Sequence, residues 1–189
     1  SSLAASGSPC GAVPGAGRDA LAAAVDFVHG AYRAEAALLS EKPHRLKFCQ
    51  LISGNSTNVV PGEAHVKGTL RTFADADFDA LKAQMAALAR AAEADYGVTC
   101  RLDVLDGYPA LINDEALFFE AAKLFPVERI PEASFLGEDF SYFARRVPAV
   151  MFRVGLGTGI PLHSATFDFD ERALVAGVEL YQILAAMEA

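Results

Sequence analysis

The groups with chemistry to offer are four histidines (29, 44, 65 and 163) and three cysteines (10, 49 and 100). His163 stands in GIPLHSATFDFDE, a run of turn formers and acidic residues near the end of the chain. A histidine placed this way often reaches into a pocket. Imidazole can carry a proton near neutral pH or ligate a metal, and nothing beside it in sequence chooses between those roles. Its plainer use is a hydrogen bond within the turn. His29 falls on a helical stretch, His44 in a turn and His65 on a strand face. The cysteines are far apart, odd in number and outside any CxxC pair. That excludes a disulfide framework and a structural zinc knuckle. Cys49 and Cys100 alternate with apolar residues, so both are expected to be buried as small hydrophobes.

The elements that would hold these groups follow from size and pattern. The chain has 189 residues, enough for one large domain or two small ones. Of these 52% are apolar and 21% charged, an ordinary globular balance. The formal charge is −8 and no Lys/Arg cluster offsets it, which argues against nucleic acid as a partner. The apolar runs are too short to span a membrane as helices. A reducing cytoplasm is the expected location, with no signal peptide visible.

SSLAASGSPCGAVPGAG reads as a poor strand and a loop. A helix is expected over about 18–39, with Leu21, Val25, Val28, Tyr32 and Leu39 at helical spacing and Gly30 weakening its middle. LKFCQLIS alternates as a strand, with Leu46, Phe48, Gln50 and Ile52 on one face. In HVKGTLRTF, Val66, Gly68, Leu70 and Thr72 face one way, opposite a polar face that carries Lys67 and Arg71. A second helix follows, N-capped by Asp75, stopped by Gly97, with Phe78, Leu81, Met85, Leu88, Ala92 and Tyr96 on one side. Val98, Cys100, Leu102 and Val104 then alternate as a strand.

This strand–helix–strand–strand–helix–strand order predicts a ferredoxin-like β-α-β-β-α-β sandwich of the α+β class, ending near residue 106. Residues 107–189 are patterned differently. DEALFFEAAKLF and GEDFSYFARRV look helical, the latter with Phe140, Phe143 and Val147 on one side. AVMFRVG looks like a strand buried on both faces, and DERALVAGVELYQILAAME like a closing helix capped by Asp168 or Asp170. One such strand with three helices is an incomplete α/β segment. Its sheet neighbours must come from another chain or from further sequence.

GNSTNVVPGEAHVKGTLRTF, GYPALIND, GEDFSYFARRVPAVMFRVG and PLHSATFDFDERAL, in this order, resemble the aminoacylase-like metallopeptidase/amidohydrolase superfamily. They look most like its N-acyl-amino-acid amidohydrolase and hippurate hydrolase branch. The resemblance implies a ferredoxin-like lid and dimerisation domain over 1–106 and the C-terminal segment of a metal-dependent catalytic domain over 107–189. It implies a homodimer formed through the lid, two divalent ions (Zn, Mn or Co) in the intact enzyme, and an N-acyl amino acid or small peptide-like substrate.

By the same resemblance His163 is a metal ligand, Arg71 grips the substrate carboxylate and Asn58 of NVVP approaches the active site of the partner subunit. Gly137, Glu138 and Asp139 shape the substrate pocket. Each has a simpler alternative: a turn histidine, a solvated strand arginine, a turn-capping amide and helix-capping acids. The chain departs from the pattern twice. Cys10 of PCGAVP takes the place of an oxyanion-stabilising histidine, and a thiol is a poor donor. Leu136 takes the place of a glycine, where a side chain would crowd the pocket. No His-x-Asp, Gly-His-x-x-His or Glu-Glu motif occurs, so 1–189 is expected to hold no stable metal centre alone and to be inactive. Two rival readings are a non-catalytic dimerisation or ligand-binding module derived from the family, and a plain α+β domain that pairs through a sheet edge.

Overall fold

A computed structural model describes residues 2–4, 8–9 and 18–187. It divides into two compact units. The first comprises 1–110 with 134–137, the second 111–133 with 138–189.

The first unit is an antiparallel sheet covered by two helices. Its strands are β1 (Ser2–Ala4), β3 (His44–Ser53), β5 (Glu63–Thr72) and β6 (Thr99–Arg101), in the spatial order β3-β5-β1-β6. A small ribbon pairs β2 (Ser8–Pro9) with β4 (Val59–Val60). The opening stretch, poor as a strand by composition, thus contributes β1 between β5 and β6, with Leu3 opposite both Ala64 and Cys100. The helices are α1 (Ala20–Ala36) and α2 (Asp75–Tyr96).

Both helices differ in detail from the sequence expectation. The face that α1 buries is Ala20, Ala23, Ala24, Phe27 and Ala31, while Leu21 and Val25 are exposed. Small side chains let this helix lie close on the sheet at Ala64 and Val66, and that closeness outweighs the larger residues one position away. Leu39 lies beyond the helix end and is fully exposed. Gly30 is a packing position: a Cβ there would come within 2.6 Å of Leu88 Cδ2 on α2. In α2 the buried residues are Leu81, Met85, Ala89 and Ala92. Its N-cap is Ala74, with no side-chain cap, and Asp75 is already helical. Gly97 ends it in the left-handed region, φ 63°, donating to the Glu93 carbonyl.

A bulge in β3 corrects the expected facing of that strand. Phe48 lies opposite Gly68, but the next paired residue is Gln50, opposite Lys67. The extra residue, Cys49, is left unpaired and exposed rather than buried. Past it the alternation inverts. Leu51 shares the face of its partner Val66, while Gln50 and Ile52 turn to the outer face with Lys67 and His65. Gly68 permits the distortion, because a Cβ there would sit 2.5 Å from the Lys47 carbonyl oxygen. On the free edge of β3, the N–H of Leu46 donates to Glu35 Oε1 and that of Phe48 to the Tyr32 hydroxyl. Helix α1 thus occupies two edge donors that would otherwise invite another strand. In the last strand Val98 is buried and Cys100, Leu102 and Val104 are half-buried, as the alternation predicts, although pairing stops at Arg101.

The second unit carries α3 (Glu115–Ala121), α4 (Ser141–Ala144) and α5 (Ala173–Ala185). Asp114 caps α3 through Leu117 N–H at 2.8 Å. The expected strand at 149–155 is absent as a strand: the segment has no ladder partner among the described residues. Asn113 takes that place in part. Its Oδ1 accepts from Met151 N–H at 3.0 Å, and its Nδ2 donates to the Met151 carbonyl at 3.3 Å. Arg153 and Val154 are exposed, so the segment is not buried on both faces. A strand exists by pairing, and this unit supplies no neighbour. The capping expected of Asp168 or Asp170 does not occur either. The N-cap of α5 is Arg172, and Asp170 closes the turn before it by accepting from the Arg172 N–H and guanidinium. No helix of the described residues is long and apolar enough to cross a membrane.

Candidate functional site

Arg71 sits near the end of β5 on the face opposite the helices, one residue after half-buried Leu70. Its guanidinium is exposed, and Nη1 donates to the main-chain carbonyl of Phe135 at 2.5 Å. Segment 134–137 belongs to the first unit and is gripped from three sides. The Phe135 ring meets Phe73 edge-on with centroids 5.4 Å apart, and Arg45 Cζ stands 4.7 Å from the same ring. Gly137 packs beside them. A Cβ there would lie 3.2 Å from Tyr108 Cδ2 and 3.8 Å from Arg71 Nη1, so the glycine keeps the space next to the guanidinium open. The structure therefore brings Arg71 and Gly137 together.

Leu136, between Phe135 and Gly137 in sequence, is 60% exposed. It adds apolar surface next to the arginine's partner residues instead of filling an interior space. Asn58 lies in the loop leading into β4, and its Oδ1 accepts from the Ser56 hydroxyl at 2.7 Å. That bond joins two neighbouring side chains of the loop. Cys10 lies outside the described residues.

The remaining named residues are in the second unit. Glu138 and Asp139 lead into α4, a single turn whose N-cap is Phe140 and which has no side-chain cap. Their main chains close the turn: Ser141 Oγ donates to the Glu138 carbonyl at 2.6 Å and Tyr142 N–H to that of Asp139 at 3.0 Å. Their carboxylates do not cap the helix. Phe143 and Val147 are exposed, and the Phe140 and Phe143 rings stack with centroids 5.8 Å apart.

His163 is the third residue of a turn closed by Ser164 N–H donating to the Pro161 carbonyl at 3.2 Å. Its φ is +68°, the only non-glycine value of that sign among the described residues. Position i+2 of a type II turn demands this left-handed backbone and usually receives glycine or asparagine. Histidine tolerates the region better than most side chains. Backbone held in this region concentrates at functional sites. The imidazole is exposed.

Burial, then the nearby Glu93 carboxylate, pushes the Cys100 thiol up to about 11. Tyr96 is raised, first by its hydrogen bond to Asp26. No group of three or more His, Cys, Asp or Glu side chains able to hold a metal occurs among the described residues. The donors present do not fit a two-ion centre. Arg45, Phe135 and Tyr108 are the site neighbours that sequence reasoning missed. Arg45 lies just before the strand expected from Leu46 onward, and β3 in fact starts at His44.

Comparison with known proteins adds independent findings. The sequence profile of peptidase family M20/M25/M40 matches residues 10–187. An N-acetyldiaminopimelate deacetylase of Anoxybacillus flavithermus is 31% identical over 137 residues, covering 69% of this chain and 36% of that protein. Its counterpart from Shouchella clausii is 30% identical over 135 residues, covering 68% and 36%. Among solved structures, a protein from methicillin resistant Staphylococcus aureus assigned as an aminohydrolase superposes with a TM-score of 0.86 at 25% identity, covering 97% of this chain and 49% of that one. The Bacillus subtilis YXEP protein, described as a dinuclear metal binding peptidase, superposes with a TM-score of 0.70 at 22% identity, covering 97% and 47%. The chain thus spans little more than a third of the curated relatives' length and under half of these solved chains.

Proposed function

The chain belongs to peptidase family M20/M25/M40, and from that premise we propose that it is the substrate-gripping and C-terminal part of an amidohydrolase acting on N-acyl amino acids or small peptide-like amides. Family membership supports hydrolase chemistry. The relatives named as deacetylases of an N-acetylated amino acid favour an acylated substrate.

In this reading the first unit is a ferredoxin-like lid, consistent with its all-antiparallel order β3-β5-β1-β6 and its two helices. It is also the dimerisation domain of a homodimer, with exposed Leu51, Ile52 and Val59 as apolar contact residues. Arg71 binds the substrate carboxylate. Its planar fork matches a carboxylate in two bonds, and an exposed guanidinium whose partner is a neutral carbonyl is free to exchange it for an anion. Asn58 is assigned to the substrate's polar end, and Gly137, Glu138 and Asp139 to the walls around it. His163 is assigned as one ligand of a divalent ion, for which an exposed, turn-presented imidazole is suited. The ions of such an enzyme would lower the pKa of bound water. Their other donors are not in this chain, which on its own is therefore proposed to be inactive. A reducing compartment is kept as part of the proposal, resting on unpaired Cys49 and Cys100.

The observation that carries this reading is Arg71, presented on the open sheet face with Gly137 beside it. The test is Arg71→Gln in the protein extended to the length of its relatives. Loss of a charged hydrogen-bond pair, about 1.5–3 kcal/mol, should raise KM for an N-acetyl amino acid about tenfold or more, with less change in kcat. An unchanged KM rules the assignment out. A rival reading, a non-catalytic ligand-binding or dimerisation module, is favoured by Cys10 and Leu136. It predicts that the extended protein fails to hydrolyse such amides even after Cys10→His and Leu136→Gly.

A further inference from the structure

The sheet register sets Arg45 of β3 directly opposite Arg71 of β5. Opposite residues of an antiparallel pair carry their side chains on one face, with Cβ atoms about 4.5–5.5 Å apart, and like charges in that position repel. The partners seen for this pair among the described residues are two parts of one residue. The Phe135 ring faces Arg45 Cζ at 4.7 Å, and the Phe135 carbonyl accepts from Arg71 Nη1 at 2.5 Å. Neither of these partners carries charge. Both arginines are exposed.

The alternation extends this field. Lys67 flanks buried Val66 as Arg45 flanks buried Leu46, so Arg45, Arg71 and Lys67 share the outer face of the sheet with Glu63, while the Lys47 ammonium turns back over Tyr32 of α1. The whole chain, by contrast, carries a formal charge of −8. A cationic face on an acidic protein draws anions to itself.

We infer that Arg45 and Arg71 form a two-guanidinium clamp for a ligand with two carboxylates, such as the N-acyl derivative of an acidic amino acid, with Phe135 as the placeholder when the clamp is empty. This deepens the reading of Arg71 under Proposed function and rests on it. Arg71 takes the first carboxylate, giving up the Phe135 carbonyl for a stronger charge-assisted pair. Arg45 takes the second while its guanidinium stays over the Phe135 ring, a geometry arginine combines readily with carboxylate binding. Lys47, over the Tyr32 ring at 5.7 Å, is a point charge beside the clamp and not part of the fork.

The test uses the 189-residue chain and two probes, butyrate and glutarate, titrated at low salt with arginine side-chain NMR signals as the readout. Glutarate should bind about two- to fivefold more tightly than butyrate, a gain of the size expected for one added exposed charge pair. Arg45→Gln should bring glutarate down to the butyrate level and leave butyrate unchanged, which also reports that the variant is folded. Arg45→Lys, which keeps the charge but loses the fork, should retain only part of the gain. Arg71→Gln should abolish binding of both. Equal affinities for the two probes, or a glutarate advantage that survives Arg45→Gln, overturns the clamp while Arg71-dependent butyrate binding still supports the single-carboxylate reading. Butyrate binding that ignores Arg71→Gln, or no binding of either probe, overturns that reading and the clamp together.

Discussion

The two units of this chain manage their apolar surface in opposite ways. In the first, Leu81, Leu46 and Phe27 are 1%, 2% and 3% exposed, and the two helices close over one face of the sheet. In the second, α5 buries none of its side chains, and Leu174, Val175, Val178 and Tyr181 all stand open. Among its described residues only Ala121, Ser141 and Ala149 are buried. A soluble unit rarely leaves such a patch uncovered without a partner for it. The first unit is specified by its own sequence. The second leaves an apolar helix face uncovered, in a chain that spans about half or less of the family members it matches.

This contrast can be broken by paired substitutions. Leu81→Ala should cost about 3 kcal/mol in urea unfolding, because it leaves a cavity in a closed core. Val178→Ala on α5 should fall within about 0.5 kcal/mol, as an exposed change. Similar costs at both positions would mean that α5 is part of a core after all.

The cysteines sharpen the contrast within the first unit. Cys49, pushed out by the bulge, should be alkylated at pH 8 at least about tenfold faster than Cys100, because the thiolate is the reactive form and Cys100 is held protonated, up to about 11. The raised value also fixes the sign of a small pH effect. Its stabilising contribution is whole below the free thiol value of 9.0 and is lost as pH rises toward about 11. Peptide mapping after timed alkylation separates the sites. Equal rates would refute the bulge as the cause of their difference.

What the sequence made legible follows from period and punctuation. The strand alternation at Val66, the helix periodicity through Leu81 and Met85, and the Gly97 stop are local signals, and the structure contains them as read. The inward face of α1 was hidden because alanines carry little hydrophobic signal, although close packing on the sheet prefers them. The β3 bulge was hidden because its cause, Gly68, lies on the neighbouring strand. The strand expected at 149–155 failed because pairing needs neighbours that an apolar run does not reveal. At the candidate site, Arg71 and Gly137 were readable as motif residues, whereas Arg45 and Phe135 join them only through register and a segment more than 60 residues away.

The central claim is that His163 is one donor of a metal centre completed by polypeptide beyond this chain. It is tested most directly by metal analysis of the extended protein, with and without His163→Ala, alongside hydrolysis of an N-acetyl amino acid. The account predicts two divalent ions per chain and metal-dependent turnover in the parent, with metal content and turnover both falling in the variant. Full metal content and undiminished turnover in His163→Ala would contradict it, as would metal-dependent hydrolysis by residues 1–189 alone.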